Sequence, residues 1–234
     1  MKTGIIIQAR HSSARLPGKV LRPLGGRPLL GWLIERLRAR AEERIIVATS
    51  DQPEDAAVAE YAAACGAAAY RGPLDDVLAR MTGALEASGL DAAVRVSGDS
   101  PLLDPQLVSR ALQLFAEGGW DLVTNVQERT FPKGQSVEVV AAAALRRADA
   151  EARAPGEREH VTPFFYGRPD RFRIANFSLD PPAADVRLCV DTPEDFAVVE
   201  RIVQSMTRPH HEYGVRELVA LYRTVTADPT RGSG

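Results

Sequence analysis

The N-terminal segment constrains the fold of this chain more than any other feature. Residues 4–8 form an apolar, largely β-branched run that ends in a glutamine, and a polar loop follows at residues 9–19. A run of this kind predicts a buried strand, and the carboxyl end of a parallel strand is where α/β sheets bind their ligands. Arginine offers forked donors to phosphate oxygens and lysine a mobile point charge. The loop's three cations, Arg10, Arg15 and Lys19, therefore predict a phosphate-binding loop.

The pattern differs from the two best-known phosphate loops. It lacks the G-x-x-x-x-G-K-[ST] spacing of a Walker A loop, and no G-x-G-x-x-G of a dinucleotide fingerprint follows the strand. The net charge of −2 argues against a general nucleic-acid binder. No secretory signal or membrane span is recognisable, and Cys65 and Cys189 have no metal-ligand spacing. We therefore expect a cytoplasmic protein with reduced thiols and neither a nucleic-acid nor a membrane partner.

Strand-like and helix-like segments alternate through the first half, which predicts βαβ units and a mostly parallel sheet flanked by helices. Strands are predicted at residues 3–8, 44–49, 67–70, 92–96 and 121–124, and helices at 28–40, from 53 onwards, at 75–88 and at 105–117. In the second half, strands are predicted at 136–140, 171–179 (antiparallel or at an edge) and 187–190, and helices at 141–152, 158–166, 193–206 and 215–225.

Nothing marks a domain boundary, so we predict one domain over residues 1–234. Its nucleotide-binding half spans 1–125, its acceptor-binding half, with a possible dimer contact, spans 126–227, and a loose tail spans 228–234.

Two aspartates follow predicted strands directly, Asp99 after a central strand and Asp191 after a late one. Carboxylates at one sheet edge suit Mg²⁺, which takes few protein carboxylates together with substrate phosphates. The alternative for Asp99 is that it only orders a turn. Other acidic residues have structural explanations: Asp104 before a proline predicts a helix N-cap, and Thr192 with Asp195 predicts a capping box.

Three motifs occur in the order found in one enzyme superfamily. They are Gln8-Ala9-Arg10 running to Leu16-Pro17-Gly18-Lys19, then Gly98-Asp99-Ser100-Pro101, then Asp191-Thr192-Pro193-Glu194-Asp195. Together they resemble the sugar-acid cytidylyltransferases, which include the CMP-Kdo synthetases and acylneuraminate cytidylyltransferases. The resemblance extends over nearly the whole chain and is closest to the spore-coat polysaccharide biosynthesis protein F branch, which residues 158–163 also resemble.

The resemblance implies a GT-A-like nucleotidyltransferase fold with a smaller antiparallel acceptor-side element, the substrate CTP, the cofactor Mg²⁺ and a homodimer. Asp99 and Asp191 would hold the metal, and Lys19, Arg15 and Asp99 would be catalytic. The implied nucleotide site comprises Gln8, Ala9, Arg10, His11, Ser12, Arg15, Lys19, Arg80, Ser97 and Gly98.

The chain departs from the CMP-Kdo synthetase pattern at Ser97, where that pattern has a glutamine. We take that glutamine to help read cytosine, so the base preference stays open. For the acceptor, the second half offers Gln135 and Glu138 around a predicted strand, and His160, for which a packed structural role is the alternative.

The leading hypothesis is transfer of CMP from CTP to a sugar acid, or to a related hydroxylated or phosphonate acceptor, with release of pyrophosphate. The alternatives are a sugar-phosphate nucleotidyltransferase that uses another triphosphate, and a non-catalytic nucleotide-binding module. The paired carboxylates count against the last of these.

Overall fold

The computed structural model describes residues 1–13 and 15–227, so the predicted tail lies outside the described residues. Its strands are β1 (Thr3–Gln8), β2 (Pro23–Leu24), β3 (Arg27–Pro28), β4 (Arg44–Ser50), β5 (Ala68–Gly72), β6 (Ala92–Ser97), β7 (Leu122–Thr124), β8 (Glu138–Ala141) and β9 (Ile174–Asn176).

The α-helices are α1 (Leu29–Arg38), α2 (Ala56–Ala64), α3 (Val77–Ala87), α4 (Pro105–Ala116), α5 (Ala142–Glu151), α6 (Pro155–His160), α7 (Pro163–Tyr166), α8 (Pro193–Gln204) and α9 (Val215–Ala227). Short 3₁₀ turns lie at Lys19–Leu21, Pro53–Asp55 and His210–Glu212. Within the described ranges, no helix is both long and apolar enough to cross a membrane.

Seven strands form one sheet in the order β5-β4-β1-β6-β8-β7-β9. The strand pairings make β8 the one strand that runs against the others. The α/β fold with a mostly parallel sheet is therefore confirmed. A separate antiparallel ribbon joins β2 to β3. The sheet contains strands from both predicted halves of the chain.

Helices cover both faces of the sheet because its central strands are apolar on both sides. On β1, Ile5 and Ile7 pack into one buried cluster with α1, whereas Ile6 packs into a second cluster with α3 and α7. The side chains of Gln8 and Ile6 lie on the same face of β1, because successive side chains of a strand alternate. This places Gln8 on the α3 and α7 side of the sheet edge.

Two predicted helix caps are confirmed. The Asp104 carboxylate accepts from the Gln106 N–H at 2.9 Å as the N-cap of α4. Thr192 and Asp195 form the capping box of α8. Both caps lie next to cleft-forming loops, so they fix where those loops end.

The helix predicted over residues 158–166 is wrong in its extent, because two short helices occupy this region. Helix α6 begins earlier, at Pro155, and Val161 interrupts the run with φ +68° and ψ −68°. The Thr162 N–H donates to the His160 carbonyl at 2.8 Å, so Val161 is the centre of a γ-turn. Pro163, which has no N–H, then begins α7, and this explains why one continuous helix does not form.

The strand predicted over residues 187–190 is also wrong. The segment makes single backbone bonds to two different loops, from Leu188 N to Lys133 O at 2.7 Å and from Val190 N to Asp99 O at 2.8 Å. Because no extended strand lies beside it, only an isolated bridge forms there, between Lys133 and Arg187. The strand predicted over 171–179 shrinks to β9, which lies at the sheet edge and runs parallel to β7.

Candidate active site

A cleft of about 380 Å³ opens at the carboxyl ends of β1 and β6. Its size lies in the range of ordinary small-molecule sites. Eleven of the residues predicted from the sequence line it: Gln8, Ala9, Arg10, Ser12, Arg15, Lys19, Arg80, Ser97, Asp99, His160 and Asp191.

Lys19 lines the cleft and is held by three oxygens. Its Nζ donates to Asp99 Oδ2 at 2.9 Å, to Asp191 Oδ1 at 2.8 Å and to the carbonyl of Val190 at 2.8 Å. The lysine is buried, whereas the two carboxylates keep 23% and 22% of their side-chain surface exposed. The carboxylates that the sequence separates by 92 positions therefore converge on one cation and still face the cleft.

The charges in this cluster stabilise each other. Burial alone would lower the pKa of Lys19, but Coulombic attraction to Asp99 and hydrogen bonds to both carboxylates outweigh it and raise that pKa. Burial would raise the pKa of Asp191, but Lys19, Arg15 and Arg187 outweigh that effect and lower it. Arg15 and Arg187 each approach Asp191 Oδ2 to 3.2 Å.

The loop that carries the cations is fixed at both ends by the backbone. The Ala9 N–H donates to Ala48 O at 3.2 Å, and the Gly18 N–H donates to His11 O at 2.8 Å, which closes the loop. Gly18 has φ +70°, and a Cβ there would lie 3.0 Å from the His11 ring. The His11 ring therefore packs against the loop itself, and His11 does not line the cleft.

Gly98 lets the two central strand ends approach each other closely. Its N–H donates to Gln8 O at 2.8 Å, and a Cβ at this position would lie 2.7 Å from the Cβ of Ala9. Because a side chain at Gly98 would push the Asp99 loop away from the phosphate loop, the glycine acts through spacing. Gly98 itself does not line the cleft.

Arg80 lies on α3 and forms part of another cleft wall. It is 2% exposed, and its Nη1 donates to the carbonyls of Pro73 and Leu74. Its Nε is buried and has no hydrogen-bond partner within the described residues. Burial, followed by the charge of Arg10, lowers the pKa of Arg80.

Gln135 and Glu138 do not line the cleft. Gln135 is fully buried, its Oε1 accepts from the Asp104 N–H at 2.8 Å and its Nε2 donates to Leu102 O at 2.8 Å. Glu138 is 2% exposed and pairs with Arg95 beneath the cleft floor. Their predicted contact with an acceptor therefore has no direct geometric support.

The cleft also contains residues that the sequence predictions missed, among them Ser13 and Glu159. Glu159 precedes His160 on α6, so its adjacency to a predicted site residue was the one available signal. Arg187, which contacts Asp191, was read only as part of a strand. No motif that we recognise in the sequence includes Arg187, so its contact with Asp191 could not be predicted.

Two carboxylates are the most that the cleft offers a metal ion, because no cluster of three or more His, Cys, Asp or Glu side chains suited to a metal occurs in residues 1–13 and 15–227. Asp99 and Asp191 nevertheless fit a divalent cation, since their oxygens already converge on the charge of Lys19. Mg²⁺ is commonly held by one or two carboxylates together with substrate phosphates.

The chain is similar to known proteins over most of its length. A family model described as cytidylyltransferase matches residues 4–220. The spore coat polysaccharide biosynthesis protein SpsF of Bacillus subtilis is 33% identical over 227 residues, which cover 92% of each chain.

Two solved structures share the fold. A cytidylyltransferase from Leptospira borgpetersenii serovar Hardjo-bovis has a TM-score of 0.90 at 29% identity, covering 99% of this chain and 97% of that one. A CMP:2-keto-3-deoxy-manno-octonic acid synthetase complexed with CTP has a TM-score of 0.69 at 19% identity, covering 87% of this chain and 99% of that one.

Proposed function

Because the chain belongs to the cytidylyltransferase family, we propose that it transfers CMP from CTP to a sugar acid and releases pyrophosphate. The observation that carries this proposal is the cluster in which Lys19 Nζ joins Asp99 and Asp191 at one cleft. A cation and two carboxylates at a sheet edge, beside a loop with further cations, suit a triphosphate and a metal ion together.

The triphosphate is assigned to the loop cations. Arg10 and Arg15 line the cleft beside Lys19, and Arg15 remains 63% exposed on its side chain, so it is free to meet a ligand. Fork-shaped guanidinium groups bind phosphate oxygens in pairs, and the ammonium group adds a point charge. These three residues would neutralise the charge that builds on the departing pyrophosphate.

Asp99 and Asp191 are assigned to the metal ion. A divalent ion bound there supplies charge that polarises the α-phosphate of the nucleotide. Lys19 Nζ holds one oxygen of each carboxylate, so this part of the site is preorganised before substrates bind. Preorganised charge of this kind is a major source of rate enhancement.

In the proposed reaction an acceptor hydroxyl oxygen attacks the α-phosphorus of CTP. A new phosphorus–oxygen bond forms, the bond between the α-phosphorus and the bridging oxygen to the β-phosphate breaks, and pyrophosphate leaves with that oxygen. The acceptor's proton passes to solvent. The protein forms no covalent bond, so its contribution is positioning and charge stabilisation.

The base is assigned to the wall that contains Arg80, whose Nε is buried and finds no hydrogen-bond partner among residues 1–13 and 15–227. Ser97 lies where the CMP-Kdo synthetase pattern has glutamine. The base that the site prefers is therefore to be measured by an assay with different triphosphates. Preference for another triphosphate would favour the sugar-phosphate nucleotidyltransferase.

The test is pyrophosphate release with each of the four ribonucleoside triphosphates, Mg²⁺, and a panel of sugar acids, sugar phosphates and phosphonates. We expect release that requires CTP and one sugar acid, and that is lost in Asp99→Asn and Asp191→Asn. Asp185→Asn is the matched control, because Asp185 is 71% exposed on its side chain and lies outside the cleft. Full activity of the two cleft variants, or of metal-free enzyme, would contradict the metal assignment.

The homodimer and the cytoplasmic location rest on the resemblance and on composition. Sedimentation equilibrium of the full chain tests the first, with a mass near twice the 25.4 kDa of one chain as the expected result.

A further inference from the structure

A hydrogen-bonded network of polar side chains runs from the cleft into the protein beneath it. The Arg95 Nε donates to Gln8 Oε1 at 2.9 Å, and its Nη1 pairs with Glu138 Oε2. The Tyr166 hydroxyl donates to Glu138 Oε1 at 2.7 Å and lies 3.0 Å from the hydroxyl of Thr124. Five side chains from four strands and one helix are thus connected by hydrogen bonds, and Gln8 is the member that lines the cleft.

The direction of each hydrogen bond in this side-chain network is determined. The Val126 N–H donates to Thr124 Oγ1 at 3.0 Å, so the Thr124 proton is free to go to Tyr166. Tyr166 then donates to Glu138, which accepts with both oxygens. Burial, and then the charge of Glu138, raises the pKa of Tyr166 above that of an ordinary phenol, which keeps its proton available for this bond.

The same logic fixes the orientation of the Gln8 amide. An arginine side chain has donors and no acceptor, so the amide must present its oxygen to Arg95. Its NH₂ group then faces away from Arg95. This NH₂ group has no hydrogen-bond partner in the part of the chain that the structure describes, and the residue borders the cleft.

We infer that Arg95, supported by Glu138 and Tyr166, is a positioning residue that holds the Gln8 amide so that its NH₂ group donates to an oxygen of the bound acceptor. This inference rests on the proposed function. It moves Gln8 from the nucleotide site, where the sequence resemblance placed it, to the acceptor site.

The position of Gln8 favours the acceptor over the nucleotide. Its support comes from Glu138 and Tyr166, both in the half that follows residue 125. Gln8 pairs in register with Ser97, and His160 lines the same cleft. These donors and acceptors suit the hydroxyl and carboxylate oxygens of a sugar acid, whereas the phosphates have the loop cations.

Gln8→Glu is the sharpest test, because it keeps the shape of the side chain. The new carboxylate still pairs with Arg95, so we expect the variant to fold, but it presents an oxygen where the amide presented N–H donors. We expect the KM for the sugar acid to rise by about 10-fold or more, because the hydrogen bond to the acceptor oxygen is lost and the new carboxylate repels that oxygen. The KM for CTP should stay within about twofold. Gln113→Glu, on the exposed side of α4, is the matched control.

Arg95→Lys tests the support. Lysine keeps the charge opposite Glu138 but has a single nitrogen where arginine uses Nε for Gln8 and Nη1 for Glu138, so the Gln8 amide loses its fixed orientation. The expected result is a rise of about three- to tenfold in the acceptor KM, the size of one ordinary hydrogen bond, without a change in the CTP KM. The ¹⁵N–¹H₂ signals of Gln8, identified by their disappearance in Gln8→Ala, should move towards random-coil positions in Arg95→Lys.

A rise in the CTP KM with an unchanged acceptor KM would overturn the acceptor assignment, and unchanged Gln8 signals in Arg95→Lys would overturn the positioning role. Both outcomes leave the proposed function standing. If wild-type enzyme releases no pyrophosphate with any acceptor, including 2-keto-3-deoxy-manno-octonic acid, the proposed function fails and the acceptor assignment fails with it.

Discussion

Lys19 and Arg36 are both buried cations near carboxylates, and their hydrogen-bond partners differ in kind. Lys19 donates to two part-exposed carboxylates at the cleft. Arg36 is fully buried and donates to three backbone carbonyls, those of Leu103, His210 and Tyr213. Burial first of all lowers the pKa of Arg36 to about 10, and the charge of Asp104 opposes this only in part.

The difference separates a functional cluster from a structural one. Carboxylates that share a cation at a cleft can exchange part of that contact for a metal ion, and the cation can exchange it for a phosphate. Backbone carbonyls cannot, because their positions are fixed by the fold, so Arg36 connects α1 to two distant loops. The identity of the partner atoms therefore predicts which cation acts on a ligand and which holds the fold together.

The largest effect is expected for Lys19→Met. We expect kcat to fall by roughly 100- to 1,000-fold, as for the loss of one preorganised charge-stabilising donor. Steady-state pyrophosphate release measures it, and circular dichroism confirms that the variant is folded. Lys133→Met is the control, because Lys133 is exposed and lies outside the cleft. A folded Lys19→Met enzyme with normal kcat would break the contrast with Arg36.

Arg36→Met should have the opposite effect to Lys19→Met, with stability lost and kcat retained. It leaves three buried carbonyls without their side-chain donor, so we expect a loss of about 3 kcal/mol in the free energy of unfolding. Urea denaturation measures the loss, and the native fraction should keep its kcat. Arg38→Met, two residues later and exposed, is the control and should unfold at the wild-type urea concentration. Loss of kcat in fully folded Arg36→Met would show that the two cations do not differ as argued.

Gln135→Leu sharpens the comparison at a residue that the sequence assigned to the acceptor. Its amide is engaged by Asp104 N and Leu102 O, so its loss should reduce the free energy of unfolding by about 2 kcal/mol. The acceptor KM should not change. A variant of wild-type stability with a raised acceptor KM would restore the acceptor role, and Gln113→Leu is the exposed control.

The smallest effect is expected for Asp104→Ala. Asp104 caps α4 and also accepts from the Val215 N–H at 2.8 Å, which ties α9 to α4. Loss of an N-cap costs about 1 kcal/mol, and the second bond should move the result towards the upper part of the range of about 0.5–2 kcal/mol. Urea denaturation is the measurement, with Asp185→Ala as control. An effect no larger than that of the control would mean that α4 needs no side-chain cap.

The central sheet was predictable from the sequence because its strands are local runs of apolar residues. The predicted strand at residues 3–8 coincides with β1, and α1 falls within the predicted 28–40, since five apolar residues of one helical face are buried. The failures came where local pattern competes with context. Residues 187–190 are apolar enough for a strand, yet they lie between two loops, which no periodicity reveals.

The candidate site was predictable to a similar degree. Arg10, Arg15, Lys19 and Asp99 line one cleft, as their positions after strands implied. Asp191 lines the same cleft although the strand predicted before it does not form. Gln135 and Glu138 are polar residues in or beside a predicted strand, and such a position does not say whether a side chain faces a cleft or a buried network. Both turned out to be buried.

The sequence by itself determined the alternation of strands and helices in the first half, two helix caps and the cations of the first loop, because propensity, proline and capping act within a few residues. Only the tertiary structure decided that Asp99 and Asp191 share Lys19, that Arg36 is enclosed by carbonyls and that Arg95 orients Gln8. Each of these contacts joins segments far apart in the chain, and only packing of the sheet and helices sets the distance between them.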